Sequence, residues 1–132
     1  MTGFGTIRIA AALLIRADGR ILLVRKRGTV VFMQPGGKIE PGEDAAMALC
    51  RELDEELGVR IGPEEPLYIG QFSAPAANEP GWVVQAEIFR LAWNGVVTPA
   101  AEIEEIIWAD PALPGVMPLA PLTRDHVLPL CG

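Results

Sequence analysis

The chain has 132 residues, 50% of them hydrophobic and 21% charged, with a net charge of −6. That length suits one domain, residues 1–132, around one core. The acidic balance argues against nonspecific nucleic-acid binding, which needs a basic face. Two cysteines, Cys50 and Cys131, are too few for a disulfide framework, and the longest apolar run, Ile9–Ile15, is too short to span a bilayer.

The apolar, β-branched stretch Ile7–Ala17 reads as a buried strand, and Asp18-Gly19 as a hairpin turn into a return strand over Ile21–Arg27. Side chains alternate along a strand, so Arg25 and Arg27 share one face and Lys26 takes the other. Arg16 and Asp18 follow the first apolar run without a clear cleavage site, so no signal peptide is expected and the expected compartment is the cytoplasm. Val30–Met33 is a short apolar segment. Pro35-Gly36-Gly37 then breaks regularity and lets the backbone approach another group closely. Glu40-Pro41-Gly42 is a second turn. A helix is predicted from Glu43 to Leu57, with Gly58 as a left-handed stop.

Two further strands are predicted, Leu67–Ala74 and Trp82–Leu91, with Asn78–Gly81 in the turn between them. A short strand, Ile106–Trp108, follows an acidic loop. Pro111–Pro121 is irregular, and Leu122–Leu128 forms a short final helix. Strands on both sides of one central helix indicate an α/β fold, a mixed sheet with helices packed on it.

On a helical wheel of about 100° per residue, Ala46, Cys50, Leu53 and Leu57 fall on one arc, the expected packing face. Glu52, Glu55 and Glu56 fall on another. Like charges at these spacings repel by a few tenths of a kcal/mol per pair, roughly. Such a cluster is kept either as a solvated face or because a cation sits there. A hard divalent ion such as Mg²⁺ takes oxygen ligands, and the glycine pair upstream could add a backbone carbonyl.

The rest of the stretch bears on the choice. Gly37, five residues, Glu43, seven residues and then Arg51-Glu52-Leu53-Asp54-Glu55-Glu56-Leu57-Gly58-Val59 resembles the Nudix box, G-x5-E-x7-R-E-U-x-E-E-x-G-U, at every fixed position. The resemblance implies a Nudix-type α/β/α sandwich around a mixed β-sheet. It implies metal-dependent hydrolysis of a nucleoside diphosphate linked to another group, with Mg²⁺ or Mn²⁺ as cofactor. It also implies that Glu52, Glu55 and Glu56 bind metal, one of them acting as base, with the carbonyl of Gly36 or Gly37 as a further ligand. Glu43 and Arg51 would orient the loop and the helix. The family often adds a downstream acid. Here Glu102 is preferred, then Glu105, with surface exposure the bland reading of each.

Arg25, Arg27 and Lys38 are candidates for phosphate contact, against the reading of a charged, protected edge strand. Phe32, Phe72 and Trp108 are candidate walls of a nucleobase pocket. His126, far from the box, is expected at a surface or a helix end. The expected partner is a small nucleoside diphosphate derivative, not nucleic acid or membrane, and a homodimer stays open. A MutT-like nucleoside triphosphate pyrophosphohydrolase ranks slightly ahead of an ADP-ribose or nucleotide-sugar pyrophosphatase. Pro75 stands sixteen residues after Val59, near the spacing of a proline in some ADP-ribose hydrolases, but Tyr68 is too near the box for the tyrosine of dinucleoside polyphosphate hydrolases. A non-catalytic nucleotide-binding module is the rival from another class, and such modules usually lose box carboxylates that this chain retains.

Overall fold

In the computed structural model, residues 5–112 and 117–131 are described. Strand β1 (Thr6–Ile15) is apolar on both faces because both faces are covered. Ala10, Ala12 and Leu14 join one core cluster, while Ala11 and Leu13 join a second on the opposite side. Helix α1 (Ala45–Leu57) covers the first face. The C-terminal helical segment covers the second through Leu122 and Val127. The sheet is thus held between helical layers.

The sheet is mixed and six-stranded, in the order β4-β5-β1-β2-β6, with β3 also on β1. Strand β5 (Val83–Ala92) runs parallel to β1 along its whole length, and β4 (Leu67–Pro75) pairs antiparallel with β5. On the other edge of β1 the hairpin is shorter than the Asp18-Gly19 turn suggests. Strand β2 (Ile21–Lys26) pairs with β1 only at Ile15↔Ile21. The remaining edge is taken by β3 (Gly36–Lys38), with Gly36 opposite Ala11 and Lys38 opposite Ile9. Gly36 and Gly37, in the stretch expected to be irregular, are therefore part of the sheet. Gly36 makes this pairing sterically feasible. It has φ +145°, and a Cβ there would strike the Ala10 carbonyl oxygen and lie 2.7 Å from the Ala11 Cα.

Val30–Met33 forms no strand, only isolated bridges from Met33 to Val24 and from Phe32 to Leu119. Strand β6 (Ile103–Ala109) is longer than Ile106–Trp108 because it pairs with all of β2, which outweighs its two exposed glutamates. Part of the Pro111–Pro121 stretch lies outside the described residues. The C-terminal segment is a π-helical turn, Thr123–Val127, followed by a 3-10 turn, Leu128–Cys131.

Helix α1 starts two residues later than predicted. Asp44 is its N-cap, with an extended ψ of 172° and a carboxylate that accepts from the Met47 N–H at 2.8 Å. Gly58 ends it at φ +68°, its N–H returning to the Asp54 carbonyl. The buried line is Ala48, Leu49, Leu53, Glu56 and Leu57, whereas Ala46 and Cys50 are only half-buried. The packing face is thus turned relative to the wheel because one glutamate faces inward. Among the described residues no helix is long and apolar enough to cross a membrane.

Candidate active site

Glu56 is the inward-facing residue, 2% exposed. Its Oε1 accepts from the Gly36 N–H at 3.1 Å, which ties α1 to β3. Burial pushes its carboxyl up to about 8, against the pull of the Gly36 N–H, and the nearby Glu52 and Glu102 carboxylates add to the rise. Glu52 lies over Gly37 so closely that a Cβ on Gly37 would be 2.5 Å from its carboxyl carbon. Burial raises the Glu52 carboxyl too, with Arg51 opposing. Glu55 is exposed, 3.7 Å from Arg51. The three carboxylates therefore occupy three environments rather than one open stripe.

Arg51 fastens the loop to the helix. Its guanidinium donates to both oxygens of Glu43 at 2.8 and 2.9 Å, to the Lys38 carbonyl at 3.0 Å and to Glu52 at 3.0 Å. Glu43 also accepts from the Glu40 N–H at 2.9 Å. The Arg51 bonds, then this N–H, hold the Glu43 carboxyl at about 2. Such bidentate, charge-assisted pairing fixes geometry as well as charge.

A polar cleft opens beside these groups, lined by Lys26, Gly37, Lys38, Glu52, Glu79 and Glu102 among others. Glu102 accepts from Lys26 Nζ at 3.2 Å. It follows Ala101, whose left-handed φ of 54° is strained for a residue with a Cβ. Through Lys26, Gly37, Lys38 and Glu79 the polar cleft joins a second, mainly apolar one on the other side of the sheet.

Several predicted site residues lie elsewhere. Arg25 shares a face with Ile21 and Leu23, away from α1, and donates to Glu105 at 3.0 Å and to the Thr29 carbonyl at 2.9 Å. Glu105 is therefore committed to the far face. Arg27 is exposed, 4.0 Å from Glu104. Phe32 packs in the second core cluster and lines neither cleft. Phe72 stacks on His126 with centroids 5.6 Å apart, and Trp108 carries the Arg16 guanidinium at 4.6 Å. Lys38 does line both clefts. The cation missed by sequence reasoning is Lys26. Its signal was the alternation that set it opposite Arg25, on the face of Leu22 and Val24, which α1 covers. Gln34 and Thr123, both buried polar residues on the second cleft, had no such signal.

Among the described residues no three Asp, Glu, His or Cys side chains converge as a metal-binding group; Glu52 is held by Arg51 and Glu56 by Gly36. The donors nonetheless suit a hard divalent ion. They are oxygen ligands only, and Glu56 is a buried carboxyl with no ion pair within 4 Å among the described residues.

Residues 5–131 match the family model of the NUDIX domain. The chain is 30% identical over 120 residues to the CTP pyrophosphohydrolase of Escherichia coli (strain K12), covering 87% of this chain and 84% of that protein. It is 32% identical over 69 residues to the phosphatase NudJ of the same strain, and that match spans only 45% of NudJ. Among solved structures, the MutT NUDIX hydrolase from Burkholderia pseudomallei superposes with a TM-score of 0.69 at 25% identity, over 96% of this chain and 95% of that one. The chain belongs to the Nudix family, as a hydrolase of pyrophosphate bonds.

Proposed function

We propose that the protein is a MutT-like pyrophosphohydrolase that cleaves a nucleoside triphosphate to the monophosphate and pyrophosphate. The observation that carries this reading is the buried Glu56 beside Gly36, with Glu52 and Glu102 close by, and Lys26 and Lys38 in the adjoining cleft. Glu52, Glu56 and Glu102, with a carbonyl of Gly36 or Gly37, would hold Mg²⁺ or Mn²⁺. Such an ion, when bound, neutralises phosphate oxygens and makes water a stronger nucleophile. Lys26 and Lys38 hold the phosphates at the junction of the two clefts. Arg51 and Glu43 keep the loop in register with α1 and touch no substrate. A box carboxylate takes the proton of the attacking water. The likeness to a CTP pyrophosphohydrolase supports a nucleotide whose base is cytosine.

The second reading is an ADP-ribose or nucleotide-sugar pyrophosphatase. It is favoured by Pro75, which stands on the wall of the apolar cleft. One assay separates the two: release of pyrophosphate or monophosphate, with Mg²⁺ or Mn²⁺, from the four triphosphates, oxidised triphosphates, ADP-ribose, dinucleoside polyphosphates and nucleotide sugars. Pyrophosphate from a triphosphate is the expected result. Turnover of ADP-ribose alone would favour the second reading, and binding without turnover would mark a non-catalytic module.

A further inference from the structure

The apolar cleft has a buried polar pair among its lining residues. Gln34, 6% exposed, comes just before Pro35, and Thr123, fully buried, comes from the C-terminal turn. The Thr123 hydroxyl donates to Gln34 Oε1 at 2.6 Å. Gln34 Nε2 is then left buried with no partner, the only such side-chain atom among the described residues. Whichever way the amide is turned, a single hydroxyl satisfies one end of it and leaves the other over. A buried donor without an acceptor is costly and uncommon in native structures.

Both residues line the cleft, whose walls include Ile9, Met33, Val84 and Leu122. Apolar walls with a few placed polar groups are how a protein holds and orients a small-molecule ring. The same cleft reaches Lys26 and Lys38 at its junction with the acidic one. A base in the cleft would thus have its phosphates directed toward the carboxylates.

Building on the pyrophosphohydrolase reading, we infer that Gln34, held by Thr123, is a specificity-determining residue that donates its spare amide N–H to an acceptor on the nucleobase. The atom is covered, so the base reaches it by displacing neighbours. Met33, unbranched and adaptable, stands on that wall. Discrimination at such a site is strong because the wrong ligand leaves the donor unpaired.

The test uses the full chain and Gln34→Met, which keeps the length of the side chain and removes the amide. Thr123→Val, which frees the amide to turn, is the second variant. With Mg²⁺, kcat/KM is measured for CTP, UTP, ATP, GTP and the base-less ribose 5′-triphosphate. The expected result is that the wild-type preference for its best nucleotide over ribose triphosphate falls at least tenfold in Gln34→Met. A purely structural glutamine would not move that ratio, so an unchanged ratio, or no wild-type preference for a base, overturns the inference. If the wild type turns over no triphosphate, the pyrophosphohydrolase reading fails, and Gln34 is judged by thermal shift with nucleoside monophosphates against ribose 5-phosphate. A base-dependent shift that is lost in Gln34→Met sustains it. Equal shifts in the two proteins overturn it.

Discussion

Gly37 shows how one hydrogen atom can matter at the residue scale. A methyl there would fall 2.5 Å from the Glu52 carboxyl, the far end of a flexible side chain, and its backbone needs no left-handed φ. Gly37→Ala is therefore expected to leave the urea midpoint nearly unchanged while lowering kcat/KM at least tenfold, because Glu52 is pushed off its position. Equal activity in the variant would show that the position of Glu52 is not needed. Glu43 makes a different prediction. Its carboxyl is held at about 2 in the folded chain, against an ordinary 4.5, so its bonds to Arg51 stabilise the fold above pH 4.5. That contribution fades as pH falls from 4.5 toward 2. The stability gap between wild type and Glu43→Gln should be widest near neutral pH and close across that window. A gap independent of pH in denaturation curves would contradict it. Lys26 was legible as a residue on its own face of β2, but alternation alone does not say which face a helix will cover. Arg25 and Arg27 were equally basic, and only their pairing with β6 residues sets them apart.

For the elements, α1 was the most legible because its ends carry their own chemistry. Asp44 satisfies a free N–H and Gly58 adopts the left-handed stop. Asp44→Ala should cost about 1 kcal/mol, read from urea unfolding, with the helix otherwise intact. A loss near zero would mean that tertiary packing alone fixes the helix start. The wheel placed Leu53 and Leu57 correctly on the packing face but left Glu56 outside it. A buried carboxylate is disfavoured on its own, and only the Gly36 N–H, supplied by a distant segment, makes its orientation intelligible. Strand β3 was illegible for a related reason. Gly-Gly has poor strand propensity, and its pairing depends on the edge of β1 left free when β2 turns away. β6 was underestimated because Glu104 and Glu105 look like loop residues until β2 lies beside them.

At the scale of the whole molecule, the site is a seam. Glu52 and Glu56 come from α1, Gly36 and Gly37 from β3, and Glu102 from the turn that docks on the end of α1 through the bond from the Ala100 N–H to the Glu56 carbonyl at 2.9 Å. A divalent ion held across this seam would bind only the folded chain and so stabilise it, by about 2.7 kcal/mol at a hundredfold excess over Kd. Mg²⁺ or Mn²⁺ should raise Tm by several degrees in the wild type and by much less in Glu56→Gln, whose amide can still accept from Gly36. An equal rise in both proteins, followed by calorimetry, would remove Glu56 from the ion's ligands. The net charge of −6 makes the bare chain mutually repulsive, which adds to this response.

The grip of β1 on Gly36–Lys38 has a kinetic consequence. A free glycine loop would have to be ordered around its ligand at each catalytic cycle, at about 1–2 kcal/mol per residue. Stitched into the sheet, these residues meet that entropy once, when the chain folds. The cradle is then ready before any ligand arrives, facing the Ala76–Glu79 connection across the cleft.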